Sequence, residues 1–96
     1  VGGRQLLVRM LNNLKSVHLS RGDLERALAA SDRILLLSPA AAEEYRDRGL
    51  CQLQRRAFRA AITDLNQYLS LAPMADDRQL VAARAAEALS QAKMAS

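Results

Sequence analysis

The side chains best suited to chemistry in this sequence are its one cysteine, Cys51, and its one histidine, His18. Catalytic nucleophiles need a base, and zinc sites need several ligands, so both chemistries depend on sets of such groups. A single thiol also excludes an internal disulfide framework. The sequence therefore predicts no enzyme, no metal site and no cofactor. Both residues fall within predicted helices, where we expect them to pack as small or partly apolar side chains.

Arg46 and Asn12 offer binding chemistry instead. A guanidinium can hold a partner's carboxylate in a two-pronged pair. The alternative for Arg46 is an ordinary exposed ion pair with Glu43, three residues earlier on the same helix face. Asn12 and Asn13 lie within a predicted helix, where Asn is unfavourable, so their amides either contact a partner or bond within the fold. The sequence leaves both alternatives open.

Composition narrows the class of protein. The 96 residues contain 14 Lys and Arg against 10 Asp and Glu, with a net charge of +4, only two Pro, two Tyr and one Phe. These values predict one small all-α domain. The arginines are scattered among acids, so no nucleic-acid partner is expected. No apolar run approaches the roughly 20 residues that span a bilayer. Without a secretory segment, and with one thiol, we expect a cytoplasmic protein with no membrane partner.

An internal repeat is visible at a period of 34 residues. Pro39 and Pro73 are separated by this distance. The same shift superimposes further identical pairs: Leu19 and Leu53, Ala27 and Ala61, and Leu35 and Leu69. We therefore expect the single domain 1–96 to divide into repeat one (about 8–41), repeat two (about 42–75) and a capping helix (about 76–93).

Apolar residues at spacings of three and four predict five helices, over about 4–20, 23–37, 40–55, 57–71 and 76–93. The inner face of the first is expected to be Leu7, Leu11, Leu14 and His18, and that of the last Leu80, Val81, Ala85, Ala88 and Leu89. Gly22 is expected to end the first helix, Asp23 to cap the second and Ser38 to cap the third. Short turns between helices predict antiparallel pairs, stacked as a short right-handed α-solenoid.

The repeated positions resemble the tetratricopeptide repeat over about residues 8–73. In the second copy they are Tyr45, Gly49, Phe58, Ala61, Tyr68 and Pro73; in a degenerate first copy they are Leu11, Leu14, Gly22, Ala27 and Pro39. The sequence departs from the motif at Lys15, where a small residue is usual, at Arg48, where Leu is usual, and at Ser31, where an aromatic residue is usual. The resemblance implies a module that binds proteins or peptides.

A narrower resemblance rests on three segments: Met10–Lys15, Arg21–Asp23 and Arg46–Leu50, followed by Asp64-Leu65 and Tyr68-Leu69. Together they resemble the C-terminal repeat region of bacterial SirB-type transglutaminase-like proteins. In that family an N-terminal papain-like domain precedes two or three such repeats. The resemblance implies that this chain is an accessory part of a larger protein, and it transfers no catalytic residue.

The first helices of the two pairs should form the binding wall of such an array. Side chains that remain on this wall, outside the predicted core, are Arg9, Asn12, Ser16, Arg46, Leu50 and Leu53. We expect them to bind a protein or peptide partner, which could be the N-terminal domain of the chain's own parent protein. Two alternatives stay open: a contribution to an active site located in that missing domain, and a homodimer formed through the last helix.

Overall fold

The computed structural model describes residues 2–95, and the regular structure within this range is entirely α-helical. The five helices are α1 (Gly3–Ser20), α2 (Leu24–Leu37), α3 (Ala42–Gln54), α4 (Phe58–Leu71) and α5 (Arg78–Ala95). The predicted all-α class and the number of helices are confirmed. None of these helices combines the length and the apolar character needed to cross a membrane.

The turn between α1 and α2 forms as its residue types predict. Gly22 has a φ of 72°, in the left-handed region that a residue without Cβ enters at least cost. The carboxylate of Asp23 accepts a hydrogen bond of 3.1 Å from the backbone N–H of Arg26, which satisfies one of the unpaired donors at the start of α2. Gly22 and Asp23 therefore end one helix and begin the next.

The turn between α2 and α3 differs from the prediction. The N–H of Ser38 donates to the carbonyl of Ile34 at 2.8 Å, so Ser38 ends α2 and does not cap α3. The N–H of Ala41 then bonds to the carbonyl of Ser38 at 3.1 Å, which closes a separate turn around Pro39. Since this turn occupies the intervening residues, α3 begins at Ala42.

The helices fall into two compact units that divide between Ala41 and Ala42. In the first unit, α1 packs against α2. Leu11 and His18 are half-buried as predicted, but Leu7 and Leu14 are each 49% exposed. Lys15 is instead the buried residue of α1, at 7% exposure. The packed face of α1 is therefore rotated from the predicted one, because the long stem of Lys15 lies at its centre.

In the second unit, α3 and α5 both pack against α4. The core cluster consists of Leu65 and Tyr68 from α4 with Val81 and Ala85 from α5. A Cβ atom at Gly49 would lie 2.8 Å from Cδ2 of Leu65, so α3 approaches α4 at a distance that only glycine permits. Cys51 is buried in the same unit, as predicted.

The fifth helix begins later than the predicted start at about residue 76. Asp76 and Asp77 precede its first residue, Arg78, and the N–H of Val81 bonds to the carbonyl of Asp77 at 2.9 Å. Val81, Ala85 and Ala88 are buried, as the predicted stripe requires, whereas Leu80 and Leu89 are exposed. The buried stripe is narrower than predicted because small alanines, and not leucines, face α4.

Candidate functional site

A groove of about 540 Å³ lies between α3 and α5 in the second unit. Its lining is formed by four residues of α3, three of α5 and one of the turn before α5: Arg46, Leu50, Leu53, Gln54, Leu80, Val81, Arg84 and Asp77. The leucines supply an apolar centre, and the charged and amide groups supply polar edges. A groove of this composition can bind an apolar side chain of a partner peptide and orient the peptide backbone through a few polar contacts.

A network of four side chains includes two of the residues that line the groove, Arg46 and Asp77. Arg46 donates from Nη1 to Oδ2 of Asp77 at 3.0 Å and from Nε to Oδ1 of Asp47 at 3.1 Å. The hydroxyl of Tyr68 donates to Oδ1 of Asp77 at 2.5 Å. The guanidinium of Arg46 also lies 5.5 Å from the centre of the Tyr68 ring. One side chain from each of α3 and α4 is therefore tied to the start of α5.

The ionisation of these groups reflects the network. The hydrogen bond from Tyr68, with the nearby Arg46, lowers the pKa of Asp77 below its usual value. The hydrogen bond to Asp77, together with burial, raises the pKa of Tyr68. Burial opposes the charge of Arg46, but the carboxylates of Asp47 and Asp77 outweigh it and raise the pKa of the guanidinium. Around neutral pH the network is therefore a fixed ion pair with a neutral phenol.

The contacts of Arg46 include two carboxylates that neither of its two alternatives had considered. Glu43 is its most distant carboxylate, with oxygen and nitrogen 3.9 Å apart and the Glu43 side chain largely exposed. Asp47 and Asp77 both lie closer. Arg46 does line the groove, but its guanidinium is already bound to two carboxylates of its own chain. It therefore shapes the end of the groove and is poorly placed to hold a partner's carboxylate.

A second ion pair fixes α3 on the side of α4. Arg48 donates to both carboxylate oxygens of Asp64, at 2.7 Å and 2.8 Å. Asp64 is a buried residue, and the guanidinium of Arg48 also lies 5.7 Å from the ring centre of Tyr45. The pair thus holds α3 against α4, and with it the groove wall that α3 forms.

The structure brings together three of the six predicted partner-binding residues, since Arg46, Leu50 and Leu53 all line the groove. The other three lie on α1 in the first unit. There Arg9 and Ser16 are exposed and Asn12 is half-buried. Their spacings of three and four residues place them on one side of α1.

Five residues of the groove were not predicted as site residues: Gln54, Asp77, Leu80, Val81 and Arg84. Leu80 was assigned to the core stripe of α5, yet it is exposed and faces the groove. Asp77 was predicted only as part of the capping helix over about 76–93, and it instead lies in the turn before α5. A contact over 31 residues, such as that between Arg46 and Asp77, leaves no periodic signal in a sequence. Within residues 2–95 no cluster of three His, Cys, Asp or Glu side chains could hold a metal ion.

Helix pairs with a 34-residue period, a glycine at the closest approach and a groove between alternate helices define a class of repeat protein. The family model described as tetratricopeptide repeat matches residues 14–86. The chain belongs to this family, as the sequence predicted. The matched range extends into the first half of α5.

Relatives of the chain are considerably longer. A UPF0162 protein of Xylella fastidiosa is 42% identical over 78 residues, which cover 81% of this chain and 28% of that protein. Protein SirB1 of Salmonella typhimurium is 32% identical over 69 residues, which cover 72% of this chain and 26% of that protein. The predicted resemblance to SirB-type proteins is thus confirmed. The chain spans less than a third of the length of the relatives it matches.

Proposed function

We propose that this chain is a non-catalytic protein-interaction module that acts within a larger protein. Its binding surface is the groove between α3 and α5, and its occupant is an apolar segment from the rest of that larger protein. The single observation that carries the proposal is the meeting of Leu50, Leu53 and Leu80 around one open groove. Leu80 is exposed and Leu50 and Leu53 are half-buried. Partly exposed apolar side chains gathered in one concavity are typical of surfaces that bind a protein partner.

The chemistry of the groove supports an apolar occupant. Arg46 is neutralised by Asp47 and Asp77, and Arg84 lies 3.5 Å from Glu87, so the charges around the leucines are largely compensated. A strongly charged ligand would gain little from such a surface, whereas an apolar side chain would gain by leaving water. The groove residues Arg46, Leu50 and Leu53 are therefore proposed to act through shape and apolar contact.

The larger protein is proposed to be of the SirB-type transglutaminase-like class, cytoplasmic and bacterial, with this chain as its C-terminal accessory part. The support is the similarity to SirB1 and the small share of each relative that the chain covers. Arg9, Asn12 and Ser16 on α1 are proposed as further partner contacts, since two of them are exposed on one side of that helix. Catalysis, if the larger protein performs any, is assigned to the part outside this chain.

The test is an association measurement between this chain and the separately expressed remainder of the natural protein, by isothermal titration calorimetry. Leu53→Asp should weaken binding at least about 10-fold, because it places a charge in the apolar centre of the groove. Met74→Asp is the matched control, since Met74 is 91% exposed outside the groove. Unchanged affinity for both Leu50→Asp and Leu53→Asp would show that the groove is not the binding surface.

A homodimer through α5 is the second candidate. It is favoured by Leu89 and Met94, which are exposed on this helix, and by a smaller groove of about 370 Å³ beside Leu89, which includes Ile62 and Ala92. Sedimentation at two concentrations distinguishes it: a mass that doubles with concentration and returns to that of the monomer in Leu89→Asp would favour the dimer. Hydrolase activity in this chain alone would contradict the non-catalytic assignment.

A further inference from the structure

The first unit presents a second apolar surface along α1. Its members are exposed and follow one another at helical spacings: Leu6, Leu7, Met10, Leu14 and Val17. Met10, near the middle, is 59% exposed. We name these five residues the α1 outer stripe. They lie on a different side of the helix from the buried Lys15, so packing against α2 does not cover them.

The equivalent face in the second repeat is covered. A shift of 34 residues takes Met10 to Glu44, Leu14 to Arg48 and Val17 to Cys51. Glu44 and Cys51 are buried and Arg48 is half-buried. At these three positions the face is thus closed in the second repeat and open in the first, and the open copy carries the more apolar side chains.

This pattern is the reverse of what a terminal repeat requires. The outermost element of a helical array normally presents a polar face to water. The exposed residues of α5 are mixed, since Gln79, Arg84, Glu87 and Ser90 alternate with alanines and with Leu80, Leu89 and Met94. The α1 outer stripe does not fit that rule. A further helix packed on such an apolar face would remove it from water and so stabilise the first repeat.

Charge indicates the chemistry of that helix. The segment Gly3–Ser20 contains Arg and Lys residues but no Asp or Glu. Arg4 and Arg9 are both exposed on this helix. Next to Leu14, a cleft of about 230 Å³ between α1 and α2 is also lined by Arg33 and by Arg26, which is paired with Asp23 at 3.5 Å. The uncompensated charges near the apolar stripe are therefore those of Arg4, Arg9 and Arg33. Two copies of α1 would repel each other, whereas a helix with acidic residues beside its apolar face would be attracted.

We propose that an amphipathic α-helix with acidic flanks, supplied by the remainder of the larger protein, packs on the α1 outer stripe. The inference rests on the proposed function only for the existence of that larger protein, since it concerns a surface other than the groove. The lengths of the relatives supply the room for such a helix, because this chain covers only 28% and 26% of two of them. The first repeat then gains a neighbour on the face that is buried in the second.

The experiment compares thiol labelling in this chain and in the longer natural protein. Met10→Cys introduces the reporter on the stripe, and Leu36→Cys is the control, since Leu36 is 82% exposed on α2. Peptide mass spectrometry identifies which thiol has reacted. We expect Met10→Cys to react at least about 10-fold more slowly in the longer protein than in this chain, because a packed helix shields it. Leu36→Cys should react equally in both.

The charge of the occupant is tested in the same assay. Adding Arg33→Glu to Met10→Cys in the longer protein should restore part of the lost labelling rate, about threefold or more, because it repels an acidic helix. Arg59→Glu makes the same charge change on α4 and should have no effect. Equal sensitivity to both variants, or to neither, would overturn the acidic chemistry of the occupant.

Three outcomes would overturn the covering helix itself. The first is that Met10→Cys reacts at the same rate in both proteins. The second is that the natural protein proves to be no longer than this chain. The third is that Met10→Cys is shielded in this chain alone in a concentration-dependent manner, which would identify a second copy as the occupant. The groove is tested separately with Leu53→Asp. If this variant loses groove binding while Met10→Cys is still shielded, both proposals are supported. Loss of groove binding in Leu53→Asp without any shielding of Met10→Cys retains the groove and rejects the helix.

Discussion

The two repeats solve the same packing problem with opposite distributions of side-chain size. In the second, Gly49 on α3 admits the large Leu65 of α4. The positions 34 residues earlier are Lys15 and Ser31, so the large side chain lies on the first helix and the small one on the second. All four residues are buried. The unusual Lys15 and the unusual Ser31 thus compensate for each other in size. Either residue alone would suggest poor packing in the first repeat.

A second exchange concerns charge. Arg48 and Asp64 form a bidentate ion pair in the second repeat, and the equivalent residues of the first repeat are Leu14 and Ala30. Leu14 is exposed there, as part of the α1 outer stripe. The second repeat replaces an apolar combination with an ionic one at the same two positions. The 34-residue period thus preserves helix geometry, while the contacts that hold each pair of helices together differ.

The largest expected effect comes from breaking the ion pair. Arg48→Leu should lower the free energy of unfolding by about 3 kcal/mol, because it leaves the buried carboxylate of Asp64 without its guanidinium. The double variant Arg48→Leu with Asp64→Ala installs the residues of the first repeat and should return to within about 1 kcal/mol of the parent chain. Urea unfolding followed by circular dichroism measures both. A double variant no more stable than Arg48→Leu alone would contradict the exchange.

Filling the closest helix contact ranks second. Gly49→Leu should destabilise by about 2 kcal/mol, because its Cβ alone would lie 2.9 Å from Cγ of Leu65 and 3.3 Å from the carbonyl of Ala61. Lys15→Met, at the equivalent position of the first repeat, should cost about 1 kcal/mol or less, since a long side chain already fits there. Thermal unfolding compares the two variants. Equal losses at the two positions would remove the distinction between the repeats.

Acid should weaken the second unit selectively. Since the pKa of Asp77 is lower in the folded chain, its contribution to stability is complete above the unfolded value of about 3.9 and is lost as the pH falls through the folded value. The raised pKa of Tyr68 acts on the other side, where its contribution is lost as the pH rises above about 10. The equivalent of Tyr68 in the first repeat is Ile34, which does not titrate.

Hydrogen exchange resolved along the chain checks this pH dependence. Protection of α4 and α5 should fall below about pH 4, and Asp77→Asn should flatten that change. Protection of α1 serves as the internal reference, since the sequence of this helix contains no Asp or Glu. Identical acid sensitivity in Asp77→Asn and in the parent chain would exclude Asp77 as the responsible group.

The smallest effect is a gain. The carboxylate of Asp23 caps α2, but Ala57, the equivalent residue before α4, makes no side-chain cap. Ala57→Asp should therefore raise the free energy of unfolding by about 0.5–1 kcal/mol, and Asp23→Ala should lower it by a similar amount. Thermal melting of the two variants gives the comparison. A loss of stability in Ala57→Asp would mean that the turn before α4 cannot adopt the geometry of the turn before α2.

Local patterns predicted the elements of this fold well. The 34-residue period, Gly22 and Asp23 gave the helices and one turn, because helix periodicity and capping depend on neighbouring residues. The turn between α3 and α4 shows what such patterns miss. Gly22 and Arg56 occupy equivalent positions and both have a positive φ, of 72° and 63°, but only the glycine reveals this in its residue type.

Contacts between distant residues were the part that the sequence could not supply. Leu50 and Leu53 line the groove with Arg46, and the sequence had assigned all three to one exposed wall. Asp77 and Leu80, which complete that groove, depend on where α5 lies against α4. The face of α1 that packs on α2 was also missed, because Lys15 reads as an exposed residue although its stem is buried.

The most direct test of the central claim is a methyl-resolved NMR titration of this chain with the remainder of the natural protein. We expect the methyl signals of Leu50, Leu53 and Leu80 to shift on binding. Those of Leu36 and Leu71, which are exposed outside the groove, should remain in place. Shifts confined to Leu36 and Leu71, or saturation of binding with the three groove leucines unmoved, would contradict the assignment of the groove between α3 and α5 as the partner-binding surface.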